Sequence, residues 1–207
     1  MAAAGIGLVL GAFLLGSIPW GYLFGRWFAG IDLRTVGSGG TGATNALRTM
    51  GRKVSAAVLL LDAAKGALPI LVGRQLGIDP WWLAAAAIAA VAGHCWSPWI
   101  GFKGGKGVAT GAGAAIALWP PVVVVLPLLL VVVAVTRFVS LGSLVACIAA
   151  TVLTVALAAA GRLDWAVAAA VAGITLIVVV QHRANIRRLL AGTERRIGEK
   201  VPVQAAP

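Results

Sequence analysis

The sequence predicts an all-α, polytopic integral membrane protein with seven transmembrane helices in a single membrane-embedded domain over residues 1–207. Of its 207 residues 60% are apolar and only 11% are charged, and the mean hydropathy is +0.98. A soluble domain of this size needs more polar surface. Apolar segments also alternate with connectors rich in Lys and Arg, which is typical of a chain that crosses a bilayer repeatedly.

The predicted spans follow from the lengths of the apolar segments. A helix of about 20 residues crosses a hydrocarbon core about 30 Å thick. The candidates are residues 4–27, 54–73, 81–98, 107–119, 121–136, 142–160 and 164–181. Residues 107–135 could instead form one span and give six, but Pro120-Pro121 favours a break because proline cannot continue the helical hydrogen-bond ladder.

The distribution of basic residues favours seven spans, with the N-terminus outside and the C-terminus in the cytoplasm. Seven spans place most of the 17 Lys and Arg residues on one side, as the positive-inside tendency requires. Six spans would put the basic C-terminal segment outside. The residues on the cytoplasmic side are Arg26, Arg34, Arg48, Arg52, Lys53, Lys103, Lys106, Arg137, Arg183, Arg187, Arg188, Arg195, Arg196 and Lys200.

The composition and the N-terminal sequence also argue against nucleic-acid binding, a disulfide framework, a signal peptide and a metal site. The net charge of +11 is explained by membrane orientation and does not indicate nucleic-acid binding. Cys95 and Cys147 both lie in apolar segments, so no disulfide framework is expected. The N-terminus lacks the basic region of a signal peptide, so the first apolar segment is interpreted as a retained span. The two histidines and six acidic residues are too dispersed to indicate a metal site, and no cofactor is expected.

A loop of glycines and hydroxyl residues, 37–45, lies between the first two spans. Glycines allow successive backbone N–H groups to converge on an anion. Ser38, Thr41, Thr44 and Asn45 add hydrogen-bonding groups, and Arg48 follows with a guanidinium suited to phosphate. The loop is interpreted as a phosphate site; the alternative is a flexible linker.

A second loop, 102–107, has the sequence Phe-Lys-Gly-Gly-Lys-Gly and precedes a predicted helix. Such a loop can place N–H groups and the positive end of the helix dipole on an anion. It does not match the P-loop pattern. The alternative is that Lys103 and Lys106 reach towards lipid headgroups.

Polar residues also occur within the predicted spans. Asp62 and Lys65 are three residues apart and share a helix face, which predicts an ion pair or one wall of a substrate cavity. His94 and Cys95 are adjacent and diverge on a helix, so a packed His94 is favoured over a nucleophile and base. The segment after the last span, 182–194, carries His182 and Asn185 on one face. It is either a basic helix on anionic lipid or a source of polar site groups.

These segments together resemble the bacterial acyl-phosphate:glycerol-3-phosphate acyltransferase family. The motifs that carry the resemblance are Gly16-Ser-Ile-Pro19 with Tyr22 and Arg26, Asp32-Leu-Arg34, the loop from Gly37 to Asn45, Asp62-Ala-Ala-Lys65-Gly66, Gly93-His94, Phe102 to Thr110, and His182 to Glu194. They occur in order over nearly the whole chain. Gly40 stands where the family usually has asparagine, and Pro98 lies one position later than the family's proline.

The resemblance implies a multi-pass enzyme of the bacterial inner membrane with its active site on the cytoplasmic side. It would transfer a fatty acyl group from acyl phosphate to the sn-1 hydroxyl of glycerol 3-phosphate, without a metal or an obligatory protein partner. The implied catalytic residues are Ser38, Arg48, Lys106, His182 and Asn185. The implied substrate-binding residues are Gly37, Gly39, Gly40, Thr41, Gly42, Asn45, Lys103, Gly104 and Gly105.

Within this hypothesis, the amides of residues 37–42 and Ser38 hold the acyl-donor phosphate. Lys106 and Arg48 hold glycerol 3-phosphate, with contributions from Lys103 and Asn45, and the acyl tail lies between helices. The proton acceptor is either His182 or the phosphate of the substrate. Two other classes stay open at this point: a transporter for anions or phosphate esters, and a non-catalytic lipid-binding scaffold. A transporter predicts polar groups on both sides of the membrane.

Overall fold

The computed structural model describes residues 2–199, and these contain ten α-helices and no β-strand. Met1 and Lys200–Pro207, including the predicted cytoplasmic Lys200, lie outside the described residues. The helices are α1 (Ala2–Gly16), α2 (Trp20–Ala29), α3 (Ala43–Met50), α4 (Arg52–Gln75), α5 (Pro80–Cys95), α6 (Val108–Leu118), α7 (Leu126–Thr136), α8 (Val139–Ala159), α9 (Trp165–Gln181) and α10 (Arg183–Leu190). The all-helical class is confirmed.

Four stretches are long and apolar enough to cross a membrane. They are Ala2–Ala29, α4, Pro80–Ile100 and α8. Helices α9 and α10 form a pair bent by 60°, which gives a fifth stretch if the pair is one span. The shorter apolar helices are α6 and Pro120–Thr136. The chain is therefore a multi-pass helical protein, as its hydropathy predicts.

Prolines interrupt the helices at two places. The first predicted span, 4–27, is divided into α1 and α2 at Ser17-Ile-Pro19, a break that the hydropathy pattern did not predict. The break at Pro120-Pro121 is confirmed: α6 ends at Leu118, and a 3₁₀ segment over Pro120–Val125 leads into α7. Proline has no backbone N–H and its ring displaces the preceding turn, which explains both interruptions.

Small residues bring the helices close together. Helix α1 packs mainly on α5, α4 on α6, and α9 on α5 and α8. A Cβ atom on Gly66 would collide with the backbone of Thr110, and one on Gly113 would collide with the backbone of Ala63. Close backbone approach at small residues is the usual way in which helices associate in lipid. This packing fixes the relative positions of the connectors.

Four segments meet at one end of the helix bundle: 30–42, 96–107, 137–138 and 182–199. The Arg34 guanidinium donates to the Ile100 carbonyl at 2.8 Å and forms an ion pair with Asp32 at 2.6 Å. The Ile197 N–H donates to the Arg137 carbonyl at 2.8 Å. These bonds join segments far apart in sequence into one polar surface.

Candidate active site

Asn45 organises the glycine loop from inside. Its side chain is 2% exposed. Its amide nitrogen donates to the carbonyls of Leu33, Val36 and Gly40 at 2.9 to 3.0 Å, and its oxygen accepts from the Ser38 N–H at 2.9 Å. All of these bonds lie within the protein. Asn45 was predicted to bind substrate, but its side-chain hydrogen bonds are all used to hold the loop in its conformation.

The loop offers fewer backbone donors than its sequence indicates. The Ser38 amide is used by Asn45, and the Gly39 amide donates to the Val36 carbonyl at 3.1 Å. Within residues 2–199, the amides of Gly40, Thr41 and Gly42 have no acceptor. Gly37 and Gly39 have φ values of +61° and +72°, which favour glycine. The Ser38 side chain is exposed at the surface of the loop.

Arg48 lies beside this loop and beneath the C-terminal segment. It donates to the Arg195 carbonyl at 3.5 Å, and the Arg195 guanidinium donates to the Gly37 carbonyl at 2.5 Å. Burial lowers the pKa of Arg48, and the positive charge of Arg195 adds to that effect. Its Nε atom is buried without a hydrogen-bond partner among the described residues.

The second loop presents one of its lysines to the site. The Gly104 and Gly105 amides donate to the carbonyls of Cys95 and His94, both at 3.1 Å. These two glycines, predicted to offer N–H groups to an anion, instead hold the loop on the end of α5. Lys106 is half-buried and donates to Asn185 Oδ1 at 2.6 Å, whereas Lys103 is exposed.

Glu194 is the acceptor at the centre of the C-terminal segment. It accepts from Ser140 at 2.7 Å, from Asn185 at 2.5 Å and from Arg188 Nε at 2.7 Å. Burial opposes its ionisation, but these three hydrogen bonds outweigh burial and lower the pKa of Glu194. Glu194 ends the motif from His182 that was recognised in the sequence, but it was not predicted as a site residue, and neither were Ser140 and Arg195. Their spacing does not indicate that they meet, since only folding brings them together.

Lys106 and His182 have strongly altered acid–base properties. Burial lowers the pKa of Lys106 to about 8; Glu194 opposes the shift, while Arg188 and Arg48 add to it. Burial, assisted by the charge of Lys106, lowers the pKa of His182 to about 4, so the ring is neutral at pH 7. Its Nδ1 lies 2.8 Å from the Val178 carbonyl and must be the donor. Nε2 is left as an acceptor.

The site therefore combines cations, a neutral imidazole acceptor and the backbone donors of residues 40–42 at one end of the bundle. A model of the glycerol-3-phosphate acyltransferase family matches residues 6–192. The chain belongs to this family. The match covers the glycine loops and all five residues predicted to be catalytic, which lie between positions 38 and 185.

Individual members of the family are similar over almost the whole chain. The glycerol-3-phosphate acyltransferase of Synechococcus sp. (strain CC9902) is 50% identical over 194 residues, which are 93% of this chain and 94% of that protein. A similar solved structure is the crystal structure of PlsY, an integral membrane glycerol 3-phosphate acyltransferase, in its glycerol 3-phosphate form. Its TM-score is 0.87 at 40% sequence identity, and the match covers 94% of this chain and 96% of the PlsY chain. Its lysophosphatidic acid form has a TM-score of 0.84.

Proposed function

We propose that this protein transfers a fatty acyl group from acyl phosphate to the sn-1 hydroxyl of glycerol 3-phosphate, giving 1-acylglycerol 3-phosphate. Family membership supports this assignment. The observation that carries it is the meeting of Ser38, Arg48, Lys106, His182 and Asn185 at one end of the bundle. A transporter needs polar groups along a path, and this concentration at a single end does not favour one.

The two phosphates are assigned to different parts of the site. Lys106 and Arg48 bind the phosphate of glycerol 3-phosphate, because both side chains are half-buried and the charge of Arg48 acts on Lys106. The Ser38 hydroxyl and the amides of residues 40–42 bind the phosphate of the acyl donor. Asn45, Gly104 and Gly105 act indirectly by holding the two loops. Lys103, at the surface, has a minor electrostatic role.

The acyl chain is assigned to an apolar cleft between α6, α7, α8, α9 and the Pro120–Val125 segment. Its lining includes Val108, Gly111, Ala115, Cys147 and Ile174. Val108 is two residues beyond Lys106 in the chain, so this cleft begins close to the polar site. A chain held here would place the acyl carbonyl beside the bound phosphates.

The chemistry requires positioning more than a covalent intermediate. Acyl phosphate is a mixed anhydride with a good leaving group. The sn-1 oxygen forms a bond to the acyl carbon, the bond from that carbon to the phosphate oxygen breaks, and inorganic phosphate leaves with the electron pair. Preorganised positive charge brings the two anions together and stabilises charge in the transition state.

The hydroxyl proton is assigned to a substrate phosphate. His182 is a poor base because its pKa is about 4. Its Nε2 can still accept a hydrogen bond from the hydroxyl and orient it. Asn185 holds Lys106, since it accepts from Lys106 and donates to Glu194.

Substitution of His182 by Gln separates an orienting role from a basic one. We expect kcat to fall about tenfold to a hundredfold, because an oriented acceptor is lost. The dependence of kcat on pH between 6 and 9 should remain that of the wild type. Loss of an ascending limb in the variant would identify His182 as the proton acceptor instead.

The low pKa of Lys106 predicts a pH dependence of substrate capture. The ammonium is charged below its pKa of about 8, so kcat/KM for glycerol 3-phosphate should fall as the pH rises through that value. The substrate phosphate is already ionised there, since its second pKa is about 6. Lys106→Arg stays protonated and should keep kcat/KM flat to about pH 9.5. A flat wild-type profile would contradict the assignment.

We also propose that seven segments cross the bacterial cytoplasmic membrane, with the N-terminus outside and the site in the cytoplasm, in one domain over residues 1–207. The gathering of alternate connectors at one end of the bundle supports this topology. Labelling of single cysteines at positions 38 and 162 with an impermeant maleimide tests it. We expect position 38 to be reached from the cytoplasmic side and position 162 from the opposite side.

The decisive assay uses purified protein, palmitoyl phosphate and glycerol 3-phosphate, with mass spectrometry of the acylated product. We expect 1-palmitoylglycerol 3-phosphate and an equal amount of inorganic phosphate. Ser38→Ala should reduce the rate, and a rate unchanged by that substitution would favour a scaffold. A folded protein that forms no product but carries glycerol 3-phosphate into liposomes would be a transporter.

A further inference from the structure

Three polar side chains lie buried beneath the active site, outside the groups assigned to substrate. Asp62 and Lys65 belong to α4 and His94 belongs to α5, and their exposures are 1%, 2% and 6%. Lys65 Nζ lies 2.8 Å from Asp62 Oδ1, which confirms the predicted ion pair. His94 Nδ1 faces the same oxygen at 3.5 Å. Charges at such depth are costly and need a compensating reason.

One end of this triad holds the break in the first span. Lys65 Nζ donates to the Ile18 carbonyl at 2.7 Å. The neighbouring Ser17 carbonyl accepts from Ser97 at 2.6 Å. Because Pro19 interrupts the helix, these carbonyls lack their usual helical donors; the Ile18 carbonyl also accepts from the Trp20 N–H at 3.2 Å. Lys65 therefore ties α4 to the α1–α2 junction and is itself fixed there.

The other end of the triad touches the 102–107 loop. The His94 carbonyl accepts from the Gly105 N–H at 3.1 Å. The His94 ring also lies against this glycine, since a Cβ atom on Gly105 would collide with Nε2. Lys106 is the next residue, and its ammonium reaches Asn185 at 2.6 Å. A displacement of the His94 ring would therefore move Gly105, the residue next to Lys106 in the chain.

We propose that Asp62, Lys65 and His94 form a positioning triad that holds the 102–107 loop so that Lys106 meets the substrate phosphate. This inference rests on the proposed function of Lys106. The Asp62 carboxylate faces the His94 ring at 3.5 Å and orients it electrostatically, and the ring and carbonyl of His94 hold Gly105. Lys65 balances the Asp62 charge and anchors it to the α1–α2 junction. If the three residues served only to join helices, they would have no need to contact the 102–107 loop.

The test compares two substitutions of His94. His94→Leu removes the polar edge that faces Asp62, whereas His94→Asn keeps an N–H near the position of Nδ1. We expect His94→Leu to raise KM for glycerol 3-phosphate about tenfold, the equivalent of weakening one charge-assisted hydrogen bond. The value of kcat should change less than about threefold, and His94→Asn should recover most of the loss.

A second readout does not depend on activity. Hydrogen–deuterium exchange reports the Gly104 and Gly105 amides, which donate to the end of α5. We expect faster exchange over residues 103–107 in His94→Leu than in the wild type. Thr154→Val is the matched control, because Thr154 is fully buried in α8 and hydrogen-bonded within that helix. It should leave both KM and the loop exchange unchanged.

Gly105→Ala provides an independent variant if His94→Leu does not fold. The added methyl displaces the His94 ring without altering α4, and should raise KM and loop exchange in the same direction. Unchanged KM and unchanged loop exchange in a folded variant would overturn the triad, even if its melting temperature fell. A wild type without acylated product would overturn the proposed function, and the exchange measurement would still test the triad.

Discussion

Lys106→Met is expected to lower kcat/KM for glycerol 3-phosphate about a hundredfold to a thousandfold. Lys106 is the half-buried cation of the site, and Asn185 holds its ammonium at 2.6 Å. Methionine keeps an unbranched apolar side chain but removes the charge that would bind phosphate. Losing one preorganised electrostatic contact in a partly desolvated site has an effect of about that size. Steady-state kinetics at saturating palmitoyl phosphate give the measurement.

Two comparisons make the Lys106 result specific. Lys103→Met changes the exposed lysine of the same loop. It should lower kcat/KM for glycerol 3-phosphate only a few-fold, because the charge that it removes is solvated. Lys53→Met, in the first turn of α4, also removes an exposed cation and should have no effect. A larger loss for Lys103→Met than for Lys106→Met would contradict the assignment of Lys106 to the substrate phosphate.

Glu194→Ala is expected to lower both the stability of the protein and its kcat/KM. It removes the acceptor shared by Ser140, Asn185 and Arg188. Each buried donor left without a partner costs about 1–3 kcal/mol of the free energy of unfolding. Asn185 would also lose the bond that aims it at Lys106. We expect a lower melting temperature in detergent together with a kcat/KM at least about tenfold lower.

Glu199→Ala is the control for Glu194. Glu199 lies in the same segment, carries the same charge and is exposed. Its charge acts on Arg48 through space, so its substitution should leave the melting temperature unchanged and alter kcat/KM much less than Glu194→Ala does. If Glu194→Ala retained wild-type kinetics at a temperature where it is folded, Glu194 would not organise the site.

The sequence alone determined the main architecture and the polar connectors. Apolar segments and their prolines predict the helices because hydropathy and the missing proline N–H act locally. The break at Pro120-Pro121 and the Asp62–Lys65 pair were both predicted and are both present. The glycine loops were recognised because glycine, hydroxyl and basic residues together are characteristic of anion sites. The break at Pro19 was missed because the surrounding segment is uniformly apolar.

Tertiary structure alone decided which groups are used internally and which face the site. Asn45, Gly104 and Gly105 carry donors in sequence, but their hydrogen bonds end on the protein's own backbone. Glu194 and Arg195 reach the site only because the C-terminal segment returns over the loops. Residue types specify what can be donated or accepted, whereas long-range helix packing chooses the partner. That choice also separates Lys106 from Lys103, which are equivalent by composition.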